Sequence, residues 1–270
     1  MQLRVNEDSF PHPTLLLVAS RAAGETAPPH QAVGVLIAKQ TLLSDGTVDP
    51  EQQAEIFTTD VEYEKPDPTA TEAGLDFRFE NDLAPTKPML DVVVVRDSRE
   101  AARFGSVQIR RFGVSDSEGP LPLDYGWRSR TEGLRNQQAG DVIDFKPDPE
   151  QPFALPKNFH NGFFNGGRLD GLDHLGAGDV VEYRHEQVEG GELRAGTVVS
   201  VTIPLGPKVD FRIGEQPISP PVPFDLDVDT VIYDFQTDDP VGGRFLITWR
   251  GVFAWEERLA DAADAVLEVS

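Results

Sequence analysis

Apolar and polar residues alternate along this chain over short stretches and rarely hold a helical period. In Leu75-Asp76-Phe77-Arg78-Phe79-Glu80 one face carries Leu75, Phe77 and Phe79 while the other is charged, the two-residue period of a half-buried strand. Ser106-Val107-Gln108-Ile109-Arg110 behaves likewise. Val92, Val93, Val94 and Val95 form an unbroken apolar run, which fits a strand buried on both faces. The same reading predicts strands over 14–19, 33–40, 54–57, 75–80, 91–96, 106–112, 180–185, 198–203, 208–213, 229–234 and 245–255. Between them lie 22 prolines and 24 glycines, placed so as to break long helices. Residues 129–138 read as irregular. Leu259, Ala262, Ala263 and Val266 recur at helical spacing and predict a short C-terminal helix over 256–266.

The expected fold is mainly β: an antiparallel, sandwich-like body in a single domain-like unit, with a helical tail over 259–270. Two β-rich parts, 1–115 and 179–258, flank a stretch, 116–178, rich in Gly, Pro, Asp and Asn and read as a loop-rich insertion. Either part alone leaves exposed sheet edges, which favours packing the two together. Long insertions in compact proteins are usually functional or interaction surfaces.

An apolar content of 39% is ample for a core. The 46 acidic against 24 basic residues give a formal charge of −22, which repels phosphate backbones and anionic membranes and welcomes basic proteins or cations. Nucleic acid and membrane are therefore not expected as partners. The same acidity also serves solubility alone. With no cysteine, disulfides, thiolate nucleophiles and cysteine zinc sites are excluded. The opening MQLRVNEDSF lacks a basic region followed by an apolar one, and the apolar runs are too short to span a bilayer, so the bacterial cytoplasm is the expected location.

The densest unusual segment is Pro156-Lys157-Asn158-Phe159-His160-Asn161-Gly162-Phe163-Phe164-Asn165-Gly166-Gly167, followed by Arg168. Its glycines permit positive φ and close backbone approach. Its phenylalanines can anchor the loop on the core, or serve as anchors for a protein or glycan partner. Asp170, Asp173, His174 and Asp179, with His160 and His185, offer imidazole and carboxylate for a divalent metal that could activate water. No HExxH spacing or EF-hand pattern accompanies them, and the aspartates of GLDHLGAGD fit turn chemistry before a strand at Val180. No GxSxG elbow is present. Gly190-Gly191 and Gly242-Gly243 read as hairpin turns rather than phosphate loops. Asp60, Glu62 and Glu64 read as a solvated edge-strand face. Trp249, Gly251 and Phe253 share one strand face, with Arg250 and Val252 on the other, so Trp249 is expected in the core.

Asp82-Leu83-Ala84-Pro85-Thr86-Lys87-Pro88-Met89-Leu90-Asp91-Val92 is similar to the passage characteristic of a bacterial family catalogued as domain of unknown function 2169. Phe104-Gly105 before a loop-rich region, and the DTV and WRGVF segments at 229–231 and 249–253, follow in family-like order. The resemblance spans about residues 14–255. One departure is Phe159-His160-Asn161-Gly162-Phe163-Phe164-Asn165, which stands where the family carries a different, Ala-Ala-Pro-containing loop. The resemblance implies a non-catalytic accessory protein, a chaperone or adaptor for effector loading in type VI secretion or a related contractile injection system. Its partner would be an effector, spike or tip protein, and no cofactor is implied. Asn158, Phe159, His160, Asn161, Phe163, Phe164, Asn165 and Arg168 are the candidate partner-binding residues. The alternatives are a structural component of a phage-like assembly and a metal-assisted hydrolase using His160, Asp170, Asp173 and His174.

Overall fold

A computed structural model describes residues 1–20, 32–43, 45–49, 53–58, 61–62, 77–79, 82–83, 90–96, 105–115, 117–123, 173–189, 192–235, 243–255, 259, 262 and 264–270. The protein is mainly β. Its strands are β1 (Gln2–Val5), β2 (Thr14–Ser20), β3 (Ala32–Leu43), β4 (Val61–Glu62), β5 (Phe77–Phe79), β6 (Asp91–Arg96), β7 (Gly105–Arg110) and β8 (Ser117–Leu123). They continue as β9 (Val180–Glu189), β10 (Glu192–Thr202), β11 (Val209–Ile213), β12 (Gln216–Pro217), β13 (Asp225–Phe235), β14 (Arg244–Ala254) and β15 (Ala265–Val269).

Among the described residues these strands form four sheets, ordered β2-β3-β14-β13-β6, β10-β9-β7-β8, β1-β15-β11-β12 and β4-β5. Pairing is antiparallel except for β13 with β6 and β1 with β15. The valine run of β6 thus lies parallel to β13 at the margin of the five-stranded sheet. The first half of the chain shares this sheet with the last third, because β14 pairs along its whole length with β3. Likewise β9 pairs with β7, which carries β8 on its other edge.

Alternation on β3 sets the two faces of the five-stranded sheet. Leu36, Ala38 and Leu42 join Val231, Tyr233, Ile247, Trp249 and Phe253 in a core shared with Ile109, Val181, Tyr183, Val199, Val201, Phe211, Leu267 and Val269 from the two four-stranded sheets. Rings bridge the sheets: Tyr183 lies 5.5 Å from Tyr233, and Phe211 meets Phe253 edge-on at 4.8 Å, between ring centroids. Gly34 and Gly251 make this possible. A Cβ on Gly34 would stand inside the Phe253 ring, and one on Gly251 inside the Phe224 ring. Trp249 is buried, as expected, and its removal from water contributes about 2–3 kcal/mol. On the opposite face Leu17, Val35, Ile37 and Leu83 form a smaller cluster, with Val252 packed against it.

Three expectations need correction. Residues 54–57 are not a strand; their amides are drawn to side chains instead, Ala54 N–H to Thr41 Oγ1 at 2.8 Å and Phe57 N–H to Asp82 Oδ2 at 2.7 Å. The tail does not continue as a helix through 265–269. Ala265–Val269 is β15, held between β1 and β11, so sheet pairing overrides the local helical spacing. Residues 256–258, 260, 261 and 263 lie outside the described residues. Within the stretch read as loop-rich, Ser117–Leu123 is a strand, because β7 offers it an edge that composition does not disclose. Among the described residues no helix is long and apolar enough to cross a membrane.

Candidate functional site

Two constellations of charged residues stand out, and the first contains the described members of the predicted metal cluster. Residues 173–179 form a turn entering β9. Leu175 is buried and exchanges two backbone hydrogen bonds with Val228, each 2.9 Å, which fixes the turn on the five-stranded sheet. Gly178 has φ +89° and its N–H donates to Ile203 C=O at 2.8 Å, a backbone shape that favours glycine. The Asp179 carboxylate is held by three donors. It accepts from Phe112 N–H at 2.6 Å, Gly176 N–H at 3.0 Å and Arg111 Nη1 at 3.2 Å.

Arg111 then reaches back along the turn. Its Nη1 donates to His174 C=O at 2.6 Å and its Nη2 to Asp173 C=O at 2.7 Å. Asp173 and His174 are thus gripped through their carbonyls, and the aspartate bond within the turn is the one from Gly176 N–H to Asp179. His174 Nε2 is buried and has no hydrogen-bond partner among the described residues. His160 and Asp170 lie outside those residues, as do Asn158, Phe159, Asn161, Phe163, Phe164, Asn165 and Arg168. His185 falls in β9 opposite Gly105. Among the described residues no three His, Cys, Asp or Glu side chains are grouped to hold a metal ion.

The second constellation was not singled out from sequence. Lys39 is fully buried on the smaller-cluster face of β3, with Nζ 2.7 Å from Asp82 Oδ2 and 3.4 Å from the centroid of the Phe57 ring. Arg250 lies on the same face of β14. Its Nε pairs with Asp229 and its Nη1 donates to Asp82 C=O at 2.9 Å. Thr230 Oγ1 donates to the other Asp229 oxygen at 2.8 Å. Two buried cations and two buried carboxylates thereby tie residues 53–58 and 82–83 across β3, β13 and β14. Buried charges survive only when so partnered. Asp82 is buried, its Oδ2 accepting from both Lys39 Nζ and Phe57 N–H and its Oδ1 lying 3.5 Å from Thr248 Oγ1.

Asp82 is also the first residue of the family-like passage. Its neighbour Leu83 packs on one face of the five-stranded sheet, while Leu90, near the end of the passage, belongs to the core on the other face. The passage is thus anchored at both ends. A sequence signal did exist: Lys39 follows Val35 and Ile37 on one face of β3, and Arg250 stands between Leu246 and Val252 on one face of β14.

On the main-core side a neutral relay runs inward. Trp249 Nε1–H donates to Gln40 Oε1 at 3.3 Å, Gln40 Nε2 lies 3.1 Å from His12 Nε2, and His12 Nδ1 lies 2.7 Å from Gln53 Oε1. Gln40 can only donate from its amide nitrogen, so the proton of neutral His12 belongs on Nδ1. Burial lowers the His12 pKa below its ordinary value, against a smaller opposing pull from the Gln53 bond.

Comparison of the chain with family models, with curated proteins and with solved structures returns no match.

Proposed function

We propose that this chain is a non-catalytic accessory protein, a chaperone or adaptor that holds an effector, spike or tip protein for loading onto a type VI secretion or related contractile injection machine. The resemblance to the domain of unknown function 2169 family supplies that class, and the bacterial cytoplasm is its place of action. The body is read as a sandwich-like scaffold, with Asn158, Phe159, His160, Asn161, Phe163, Phe164, Asn165 and Arg168 as the partner-contacting surface.

The observation that carries this reading is the placement of residues 124–172 between β8 and β9, strands that flank β7 in one sheet. β8 ends beside Gly105 and β9 begins beside Arg110, so the intervening chain starts and finishes at opposite ends of a fixed platform. Long segments on rigid scaffolds are where binding residues concentrate. The Asp82 and Asp179 carboxylates, each engaged by a cation and a backbone N–H, further support a scaffold reading.

Co-expression with the products of adjacent genes tests this. A complex with an effector or spike protein should co-purify, and deletion of residues 158–168 should abolish it without altering the melting temperature. A complex that survives the deletion overturns the surface assignment. Retention of the protein in an assembled particle at fixed stoichiometry would favour the structural-component reading instead.

A further inference from the structure

We infer that the end of the β10-β9-β7-β8 sheet where Phe112, Val114 and Leu205 emerge is a docking surface for a cationic, apolar-bearing segment of another protein. These three side chains are 76%, 57% and 84% exposed, the highest values among the large apolar residues described. Single exposed apolar residues are ordinary, but a cluster of them marks an interaction site. Here they converge. Phe112 packs on Gly178, whose absent Cβ would lie 2.8 Å from the ring, and the Gly178 N–H is bonded to Ile203 C=O, two residues before Leu205.

The cluster is also held in place. Gly113 has φ +74°, and Val114 N–H donates to Arg111 C=O at 3.2 Å, closing the turn that presents Phe112 and Val114. Arg111 and Asp179 brace that turn against residues 173–179. Leu205 stands between Pro204 and Gly206, and Gly206 packs on the Trp249 ring, where a Cβ would lie 2.8 Å from the nearest carbon. An aromatic and two aliphatic side chains carried on backbone held before binding cost less further ordering, which is what an anchor site needs.

Charge selects the occupant. The chain carries a net −22, so a second copy is repelled and a lysine- or arginine-rich segment is attracted. Arg111 is neutralised by Asp179 and Arg110 pairs with Glu182, while exposed Asp173, bonded to Arg111 through its carbonyl, offsets Lys208, so the net field of the chain sets the sign. This inference does not depend on residues 158–168 being a partner surface.

The test is fluorescence anisotropy of a labelled amphipathic Leu/Lys peptide, with a Leu/Glu peptide of the same length as control. The intact protein should bind the Leu/Lys peptide, more weakly as salt is raised, and ignore the Leu/Glu peptide. Phe112→Ser with Leu205→Ser should weaken binding at least about tenfold, the scale of one lost anchor, with an unchanged melting temperature because both side chains are exposed. No binding by the intact protein, or equal binding by the double variant, overturns the inference. A dimer that the double variant dissociates in sedimentation assigns the surface to a second copy and also overturns it. If deletion of 158–168 abolishes peptide binding while the double variant retains it, this inference fails and the preceding proposal stands.

Discussion

Replacing Asp82 by alanine leaves Lys39 fully buried without its carboxylate and removes the acceptor for Phe57 N–H. Breaking a buried pair from one side costs about 3–5 kcal/mol. Urea unfolding of Asp82→Ala should show that loss, with a second change, Lys39→Met, restoring part of it by removing the stranded charge. A loss under about 1 kcal/mol would place the pair among weak surface interactions. His12 supplies a pH dependence whose sign follows from burial. Its folded-state pKa lies below the ordinary value of 6.5, so the unfolded chain takes up the proton first as pH falls. The contribution to stability is full above about 6.5 and declines as pH drops toward the folded value. Between neutral and mildly acid pH the native protein should therefore lose more stability than His12→Gln, measured by parallel urea titrations. Equal losses would show that the relay through Gln40 and Gln53 does not resist protonation.

At the scale of elements, the turn over 173–179 is the joint between β7, β9 and β13. Asp179→Ala removes acceptors from Phe112 N–H, Gly176 N–H and Arg111 together. Amide hydrogen exchange at Phe112, Gly176 and Gly178 should quicken on the order of tenfold or more, consistent with losing about 1.5–3 kcal/mol of charge-assisted bonding. Protection in β3 and β14 should be unchanged. Much of this level was legible in the chain. Thr14, Leu15, Leu16 and Leu17 gave β2, and the alternation of Trp249, Gly251 and Phe253 with Arg250 and Val252 placed each on its true face. What the chain hid is what depends on distant partners. Ala265–Val269 carries a helical spacing that β1 and β11 override, and Ala54 and Phe57 look strand-like but bond to side chains from Thr41 and Asp82. The ion pairs were legible only as charges on apolar strand faces: Asp82 and Arg250 are far apart in sequence, and the register of β3 with β14 is what sets Lys39 and Arg250 on one face against Asp82.

For the molecule as a whole, three of the sheets share one core, and the proposal gives the partner contact to the segment between β8 and β9. Proline, glycine and asparagine there gave composition but no periodicity, so sequence could nominate residues 158–168 and not their geometry. Asp173 and His174 stand in the turn that enters β9, held by Arg111 through their backbone carbonyls. The most direct measurement is hydrogen–deuterium exchange on the full chain, alone and in complex with the co-expressed effector or spike protein. Strong new protection over 158–168, with β3, β13 and β14 unaltered, is the result expected of an adaptor that grips through this segment. Protection confined to other surfaces, or no complex to measure, would contradict it.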